Sequence, residues 1–351
     1  MTGSYRVMVE PLGREIACRA DQSVLDACLR EGIWLPHACT HGTCGTCKAR
    51  VLEGEVDHRD SSPYALLDFE RDDGYALLCT ARPRSHLVVE GDVDVEDGVE
   101  MHPVDDFIGT VASFEDAGPG VRRLRVDLDR PMSFNPGQYV LLTLPDGETR
   151  RAYSIASSPR ESGSLEFHVK LTAGGACTEG WMFCSLDRGD RIPLAGPYGR
   201  FSLRPAREEP MLLLAGGTGL APIASMVRHV IETGLSRQMT LYHGVQTRDD
   251  LYEHAWLSEL AASVPGFRYQ PALSRDTFDG RSGYVSDLLA EDYGRAAGHV
   301  AYVCGPPVMV ERTLKTLMQR RLFPRDIYRE DFYDAADKAA GVTVRSPLLK
   351  R

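Results

Sequence analysis

The chain of 351 residues is 43% hydrophobic and 26% charged, the balance of a globular protein long enough for two or three domains. Its net charge of −10 comes from residues 1–106, which contain 21 Asp and Glu against 10 Lys and Arg. This acidic segment could steer a basic partner protein, or it could simply aid solubility. This balance argues against nucleic-acid binding, and the lack of a long apolar run argues against a membrane span or secretory leader, so we expect a cytosolic protein without nucleic-acid or membrane partners.

Residues 1–92 are predicted to form the first domain, a compact α+β unit. Alternating residues over positions 4–20 predict a β-hairpin, and Ser23 is expected to cap a helix that runs to about Glu31. After a loop rich in glycine and cysteine, the pattern predicts a strand at Lys48–Leu52, a short helix at Pro63–Glu70 and a closing strand at His86–Glu90.

That loop carries the most specific motif of the chain. Cys39, Cys44 and Cys47, with Cys79 further on, have the C-x4-C-x2-C…C spacing of a plant-type [2Fe–2S] cluster, which needs four thiolates. Glycines in the loop let the backbone bend around a cluster and free N–H groups to bond sulfur. Two other interpretations are a zinc site and a redox-active pair at Cys44 and Cys47, but zinc sites usually show two Cys-x-x-Cys pairs and a redox pair leaves Cys39 unexplained. The favoured interpretation is a plant-type ferredoxin domain with a β-grasp fold.

Residues 93–104 are predicted to be an acidic linker, because Glu90–Asp106 holds eight acidic residues and no Lys or Arg. Residues 105–205 show short alternating runs separated by turn signals, which predict a small antiparallel β-barrel. Its strands are expected to include Val121–Asp127, Gln138–Leu144, Ala152–Ala156 and Leu165–Leu171.

Residues 206–335 alternate strand and helix patterns, which predict an α/β domain with a parallel sheet and helices on both faces. The expected strands are Met211–Ala215, Met239–His243 and His299–Cys304; the expected helices end at Thr233 and Arg321, with another near Tyr252–Ala262. Residues 336–351 are predicted to be a C-terminal tail.

Two segments of the barrel resemble the flavin signature of the ferredoxin–NADP⁺ reductase superfamily: Arg151-Ala-Tyr-Ser154 and Gly174-Gly-Ala-Cys-Thr178. The resemblance implies that Arg151 pairs with the pyrophosphate of FAD, that Tyr153 packs on the flavin ring and that Ser154 hydrogen-bonds near its reactive nitrogen. An arginine fork suits a diphosphate, and an aromatic face suits a flavin. The other flavin-site residues implied are Ala152, Gly174, Gly175 and Thr178, with His168 and Lys170 on the strand between.

A glycine turn between a buried strand and a helix predicts the nicotinamide site. Its residues are Gly216, Gly217, Thr218 and Gly219, which allow a pyrophosphate to approach a helix N-terminus. By the same resemblance, Cys304, followed by Gly305 and Pro306, lies at the nicotinamide where hydride leaves. Glu330-Asp-Phe332 resembles the terminal acidic-x-aromatic signature, in which Phe332, or its neighbour Tyr333, covers the flavin face that nicotinamide must occupy. The predicted catalytic residues are therefore Ser154, Cys304, Glu330 and Phe332.

The coenzyme is predicted from the segment after the strand that should meet the adenosine ribose. Asp249 and Asp250 would repel a 2′-phosphate, whereas Arg248 could attract one. We expect NADH, with NADPH the less favoured coenzyme.

The three sites together predict a mechanism. A nicotinamide gives two electrons as hydride, a cluster accepts one, and a flavin can step between them. This layout resembles the NADH-dependent reductase components of bacterial multicomponent oxygenases, and Ser62-Pro-Tyr-Ala-Leu-Leu67 with Leu78-Cys-Thr80 is similar to the reductases of phenol hydroxylase and related soluble diiron monooxygenases. The resemblance implies an oxygenase as electron acceptor, docked on the acidic cluster domain. The alternatives are a reductase for a ring-hydroxylating dioxygenase, an iron–sulfur or flavin redox sensor, and a binding module with degenerate enzyme domains.

Overall fold

The computed structural model describes residues 3–91, 93 and 98–333, and their strands form three main sheets. The proposed tail at 336–351 and part of the proposed linker lie outside the described residues. The strands are β1 Ser4–Glu10, β2 Arg14–Arg19, β3 Lys48–Glu53, β4 Val56–Asp57, β5 Tyr75–Leu77, β6 Arg82–Pro83, β7 Leu87–Glu90, β8 Asp105–Gly118, β9 Val121–Leu128, β10 Tyr139–Thr143, β11 Arg150–Ser154, β12 Ser164–Lys170, β13 Arg191–Tyr198, β14 Met211–Gly216, β15 Met239–Val245, β16 Phe267–Leu273, β17 Val300–Gly305 and β18 Ile327–Asp331. The helices are α1 Val24–Arg30, α2 Asp68–Asp72, α3 Phe183–Ser185, α4 Leu220–Thr233, α5 His254–Ser263, α6 Val285–Asp292 and α7 Pro307–Gln319.

The N-terminal sheet has the order β2-β1-β7-β3-β5 and packs against α1. The predicted hairpin is β1 paired antiparallel with β2, while β1 also pairs in parallel with the closing strand β7. Helix α1 begins after Ser23, whose hydroxyl accepts the Asp26 N–H at 3.2 Å. Its apolar face is buried in the domain core, which confirms the predicted inward residues Val24, Leu25, Cys28 and Leu29.

The short helix predicted at Pro63–Glu70 is wrong in its position. Residues 63–66 form turns, and α2 begins only at Asp68. The Glu70 carboxylate accepts the Leu67 N–H at 2.9 Å, so the chain is capped at Leu67 rather than at the proline.

The middle sheet is the predicted antiparallel barrel. Its order is β11-β10-β13-β8-β9-β12, and a bridge between Ile155 and Phe167 joins its two edge strands. The strand expected at Ala152–Ala156 lies two residues earlier, as β11. It pairs with β10 from Arg150 to Ser154, and the pairing ends where Ser154 lies opposite Tyr139.

The third sheet, β16-β15-β14-β17-β18, is parallel throughout. Leu213 and Ala215 of β14 pack with α4 and α5, whereas Leu212 and Leu214 pack with α6 and α7. Helices therefore cover both faces, as predicted. The sequence patterns missed β16, α6 and β18. Helix α5 starts later than expected, at His254, because the preceding Glu253 is left-handed, with φ +59°. Together the three sheets confirm the predicted fold class.

A buried ion pair fixes the third domain against the barrel. Arg228 of α4 lies 2.9 Å from the carboxylate of Glu166 on β12 and also donates to the Ala156 carbonyl. Although burial opposes its ionisation, the hydrogen bond from His168 and the charge of Arg228 lower the pKa of Glu166 to about 2. Among the described residues, no helix has the length and apolar character needed to cross a bilayer.

Candidate functional site

The fold brings the four cysteines of the predicted cluster site together. The thiol of Cys39 lies beside that of Cys44, the thiol of Cys47 lies beside that of Cys79, and all four interact electrostatically. In the described part of the chain, no group of three or more His, Cys, Asp or Glu side chains is placed to hold a single metal ion. Two thiol pairs suit a two-iron cluster, in which each iron takes two thiolates, better than a tetrahedral zinc ion, whose four ligands share one centre.

The loop around these cysteines also fits a cluster. Gly42 has φ +80°, and a Cβ there would lie 2.8 Å from a methyl carbon of Thr80 and 3.3 Å from the Asp60 carbonyl oxygen. The backbone N–H groups of Thr43 and Cys44 point to the Cys39 sulfur at 3.5 and 3.4 Å. N–H groups aimed at sulfur stabilise a thiolate that binds iron. We propose that Cys39, Cys44, Cys47 and Cys79 hold the cluster.

The proposed flavin residues Arg151–Ser154 lie along β11, an edge strand of the barrel sheet. Arg151 is exposed, and its guanidinium makes one hydrogen bond with the described chain, to the Arg150 carbonyl at 2.9 Å, so its other donors face solvent. The Tyr153 hydroxyl lies 3.2 Å from the Cys177 sulfur, which holds the ring in a fixed position. Ala152 is exposed, and Ser154 is buried. This arrangement leaves an arginine fork free for a diphosphate.

The second flavin segment is a glycine turn that leads into a turn of π-helix at Thr178–Met182. Gly174, with φ +71°, donates its N–H to the Glu179 carboxylate at 2.6 Å. A Cβ on Gly175 would lie 2.9 Å from both the Thr172 carbonyl oxygen and the Thr178 hydroxyl. The Gly174 N–H therefore already accommodates an anionic oxygen, as the N–H of a phosphate-binding turn must.

The strand between the two segments places His168 and Lys170 differently. Lys170 is exposed. His168 is buried against the third domain, where its ring contacts the Tyr252 hydroxyl at 3.1 Å and Glu166 at 3.4 Å. His168 therefore contacts the domain interface, and its role as a flavin ligand stays a prediction.

The glycine turn of the proposed nicotinamide site packs directly on the end of β17. A Cβ on Gly219 would lie 2.3 Å from the Cys304 carbonyl oxygen, and one on Gly305 would lie 3.0 Å from the Gly216 Cα. Gly217, at φ +53°, has open space beside it, as a bound pyrophosphate requires. The close packing brings Gly216–Gly219 next to Cys304, Gly305 and Pro306, which is the arrangement that the resemblance implies.

The C-terminal strand β18 carries Glu330 into the same region. Its side chain is partly exposed, but its oxygen Oε2 is fully enclosed and has no hydrogen-bond partner among the described residues. The carboxyl also lies close to the side chain of Ser154 on the flavin strand. Phe332 donates its N–H to the Gly305 carbonyl at 2.9 Å and packs on the core of the third domain. Glu330, Ser154 and Phe332 therefore connect the two proposed cofactor sites, as catalytic residues there would.

Glu330→Gln is expected to flatten the pH dependence of stability. Burial, with the nearby charge of Asp331, raises the pKa of Glu330 to about 8. Between its unfolded pKa near 4.5 and about 8, the folded chain binds more protons than the unfolded chain, so the free energy of unfolding falls as the pH rises, by up to about 1.4 kcal/mol per pH unit. Urea unfolding of the parent and Glu330→Gln proteins at pH 5.5 and 8 measures this difference. Equal pH dependence in the two proteins would show that Glu330 is ionised when folded.

The roles of His37, Tyr139 and Gly199 beside the cluster loop were not predicted from the sequence. His37 accepts the Gly199 N–H at 2.9 Å, and the Tyr139 hydroxyl donates to the Ala38 carbonyl. The barrel thus touches the cluster loop directly. The His37-Ala-Cys39 segment was visible in the sequence, but its partner residues belong to another domain and carry no local motif.

Comparison with known proteins agrees with this division of the chain. Family models match at residues 7–84 (2Fe-2S iron-sulfur cluster binding domain), 109–203 (oxidoreductase FAD-binding domain) and 213–315 (oxidoreductase NAD-binding domain). The chain is 45% identical to the reductase component of phenol 2-monooxygenase from Pseudomonas sp. strain CF600, with 99% of each chain covered. It is 34% identical to the reductase component of the naphthalene 1,2-dioxygenase system from Pseudomonas putida, over 93% of this chain and 98% of that one.

A solved structure has the same architecture. The crystal structure of an Amycolatopsis cytochrome P-450 reductase is 41% identical and superposes with a TM-score of 0.89, over 94% of this chain and 99% of that one. The fold and the family matches define an oxidoreductase that binds FAD, a nicotinamide coenzyme and a [2Fe–2S] cluster. The chain belongs to the family of reductase components of bacterial multicomponent oxygenases, within the ferredoxin–NADP⁺ reductase superfamily.

Proposed function

We propose that this chain is the reductase component of a multicomponent monooxygenase of the phenol or alkane diiron type, working in the cytosol. It binds the pyrophosphate of NADH at the Gly216–Gly219 turn, takes hydride from the nicotinamide beside Cys304 and delivers single electrons through the cluster domain to a separate oxygenase. The flavin supplies the step between two-electron and one-electron transfer. The observation that carries the proposal is the direct contact of the cluster loop with the barrel, beside the strand that holds Ser154.

The surroundings of Arg248 support NADH as the coenzyme. Its guanidinium donates to the Thr277 carbonyl at 3.1 Å and lies over the Phe278 ring, so these contacts already engage the group that would have to bind a 2′-phosphate. The Asp276 carboxylate accepts the Arg248 N–H at 3.3 Å. Because hydrogen bonds from Thr277 and Arg248 lower the pKa of Asp276, it is ionised at neutral pH and would repel a phosphate there.

The chain is 45% identical to the phenol 2-monooxygenase reductase component but 34% identical to the reductase component of the naphthalene 1,2-dioxygenase system. This difference favours a monooxygenase partner and keeps a ring-hydroxylating dioxygenase as the second candidate. The match at 41% identity to a cytochrome P-450 reductase adds a third class of acceptor, a cytochrome P-450, which the sequence did not suggest.

An exposed apolar surface beside the cluster loop supports docking of a protein acceptor. Tyr64, Leu67 and Phe69 are 56%, 44% and 60% exposed. Their segment lies against the loop, since the Ser62 N–H donates to the Gly42 carbonyl at 3.0 Å. Three exposed carboxylates that make no ion pair within the described chain lie in or directly after α2, which carries Phe69: Asp68, Asp72 and Asp73. Apolar side chains within an acidic rim suit a partner surface with a basic rim.

Reconstitution with a purified diiron phenol hydroxylase component tests the proposal. With NADH, the chain is expected to sustain phenol hydroxylation, and Phe69→Ser is expected to lower the rate about fivefold at limiting hydroxylase, as for an interface residue worth ~1 kcal/mol. The control is Phe323→Ser, because Phe323 is 53% exposed but lies on the third domain. Reduction of ferricyanide, a small acceptor, should be equal in all three proteins.

Turnover with a ring-hydroxylating dioxygenase component, but not with the phenol hydroxylase, would replace the monooxygenase assignment by the second candidate. An equal loss of hydroxylation in Phe69→Ser and Phe323→Ser would remove the docking surface but leave the reductase function in place.

A further inference from the structure

The barrel contacts the cluster loop beside its first cysteine. The Tyr139 hydroxyl donates to the Ala38 carbonyl and lies close to the side chain of Thr40. Ala38 and Thr40 are the residues before and after Cys39. Since Tyr139 is 2% exposed, these contacts are shielded from water. Hydrogen bonds are electrostatically stronger in such a buried environment than in water.

A second contact lies next to the first. His37 is 1% exposed, and its Nε2 accepts the Gly199 N–H at 2.9 Å while Nδ1 lies 2.8 Å from the Leu35 carbonyl oxygen. Both contacts are satisfied by a neutral ring with its proton on Nδ1. Loss of the imidazole would leave the Gly199 N–H buried without an acceptor, which is costly.

The barrel side of these contacts adjoins the proposed flavin residues. Tyr139 pairs with Ser154 across β10 and β11. Gly199 allows the ring of Tyr139 to approach, because a Cβ there would lie 2.9 Å from that ring, and the same Cβ would lie 3.9 Å from the Glu330 carboxylate. A short route of strand pairing and one hydrogen bond therefore joins Ser154 to the residue that precedes Cys39.

We propose that Tyr139 and His37 are positioning residues for electron transfer from the flavin to the cluster, which takes place in this docked arrangement. The inference rests on the proposed function and adds the route within the chain. Each NADH oxidised to NAD⁺ releases one proton to water and supplies two electrons. These electrons cross the Tyr139–Ala38 contact one at a time and leave for two one-electron acceptors.

The chain offers a matched control for Tyr139. Tyr198 stacks on Tyr139 with ring centroids 5.8 Å apart, is equally buried, and donates its hydroxyl to Asp26 of α1 at 3.0 Å. Tyr139→Phe and Tyr198→Phe thus each remove the hydroxyl of a buried tyrosine that crosses the same domain interface. Only Tyr139→Phe releases the segment around Cys39.

The test is anaerobic stopped-flow mixing of the full-length holoprotein with NADH, following the flavin and cluster absorption bands separately. In Tyr139→Phe, cluster reduction is expected to slow about fivefold relative to flavin reduction in the same trace, which corresponds to the loss of about 1 kcal/mol of hydrogen bonding. Tyr198→Phe should retain the parent ratio. On the other domain, His37→Leu should slow the same phase and His37→Gln, which keeps an acceptor, should restore it, with ferricyanide reduction unchanged in both.

Cluster content, measured by the electron paramagnetic resonance signal of the dithionite-reduced proteins, separates slow transfer from cluster loss. Parent-like cluster reduction in both Tyr139→Phe and His37→Leu would overturn the proposal, and so would equal slowing in Tyr198→Phe. A parent protein whose flavin is not reduced by NADH would instead contradict the proposed function itself.

Discussion

Cys44→Ser is expected to abolish the [2Fe–2S] signal and with it the reduction of cytochrome c, a one-electron protein acceptor. The thiol of Cys44 lies beside that of Cys39 and near those of Cys47 and Cys79, so its loss breaks one of the two thiol pairs. We expect a fall of more than about 100-fold, beyond the range for losing a group that only orients a metal ligand. NADH-dependent reduction of ferricyanide should continue, because that reaction needs the flavin and nicotinamide sites alone.

The control for this experiment is Cys18→Ser. Cys18 is buried in the same domain, but it lies on β2 and its thiol donates to backbone carbonyls of that strand and the following turn. The control should keep the cluster and both activities. If Cys44→Ser loses ferricyanide reduction as well, the variant has misfolded and the cluster assignment must be tested at Cys79. A full cluster signal in Cys44→Ser would mean that the ligand set is wrong.

Arg151→Ala is expected to release FAD. The guanidinium has free donors at the surface of β11, and in the second flavin segment the Gly174 N–H already donates to a carboxylate oxygen. Hydrogen bonds to a charged group contribute about 1.5–3 kcal/mol, so FAD should bind roughly 10- to 150-fold more weakly. The protein should purify with little flavin, and both ferricyanide and cytochrome c reduction should be lost until excess FAD is added.

The neighbouring Arg150 provides the matched control. It is also exposed on β11, but consecutive side chains of a strand point to opposite faces, so Arg150→Ala should keep its FAD. If Arg151→Ala purifies with a full complement of flavin, Arg151 does not hold the pyrophosphate. Flavin loss in both variants would mean that the positive charge of the strand matters rather than the position of one arginine.

The parts of the fold that the sequence predicted depend on local patterns. Strand β14, with its run of apolar residues, and α4 after the glycine turn followed from periodicity alone, since both signals lie within a few residues. The helix expected at Pro63 begins at Asp68 instead, because the Glu70 carboxylate accepts the Leu67 N–H and so fixes the start of the helix. Strand β16 was missed because its apolar pattern is interrupted by Arg268 and Gln270.

The site shows the same division between local and distant information. The spacing of Cys39, Cys44 and Cys47 is local and pointed to the cluster before the fold was known. The contact of Tyr139 with the cluster loop depends on how two domains dock, and no spacing in the sequence encodes it. His168 was expected near the flavin from its position on β12, yet its contacts are with Tyr252 and Glu166, because the third domain covers that face of the barrel.

The central claim is one electron path from nicotinamide through flavin to cluster within a single chain. The most direct test is the absorption spectrum of the purified holoprotein under nitrogen before and after one addition of NADH. We predict flavin bands over a broad iron–sulfur shoulder, both of which bleach on NADH addition, with slower bleaching by the same concentration of NADPH. A colourless protein that carries zinc, or flavin and cluster bands that do not change with NADH, would contradict this account.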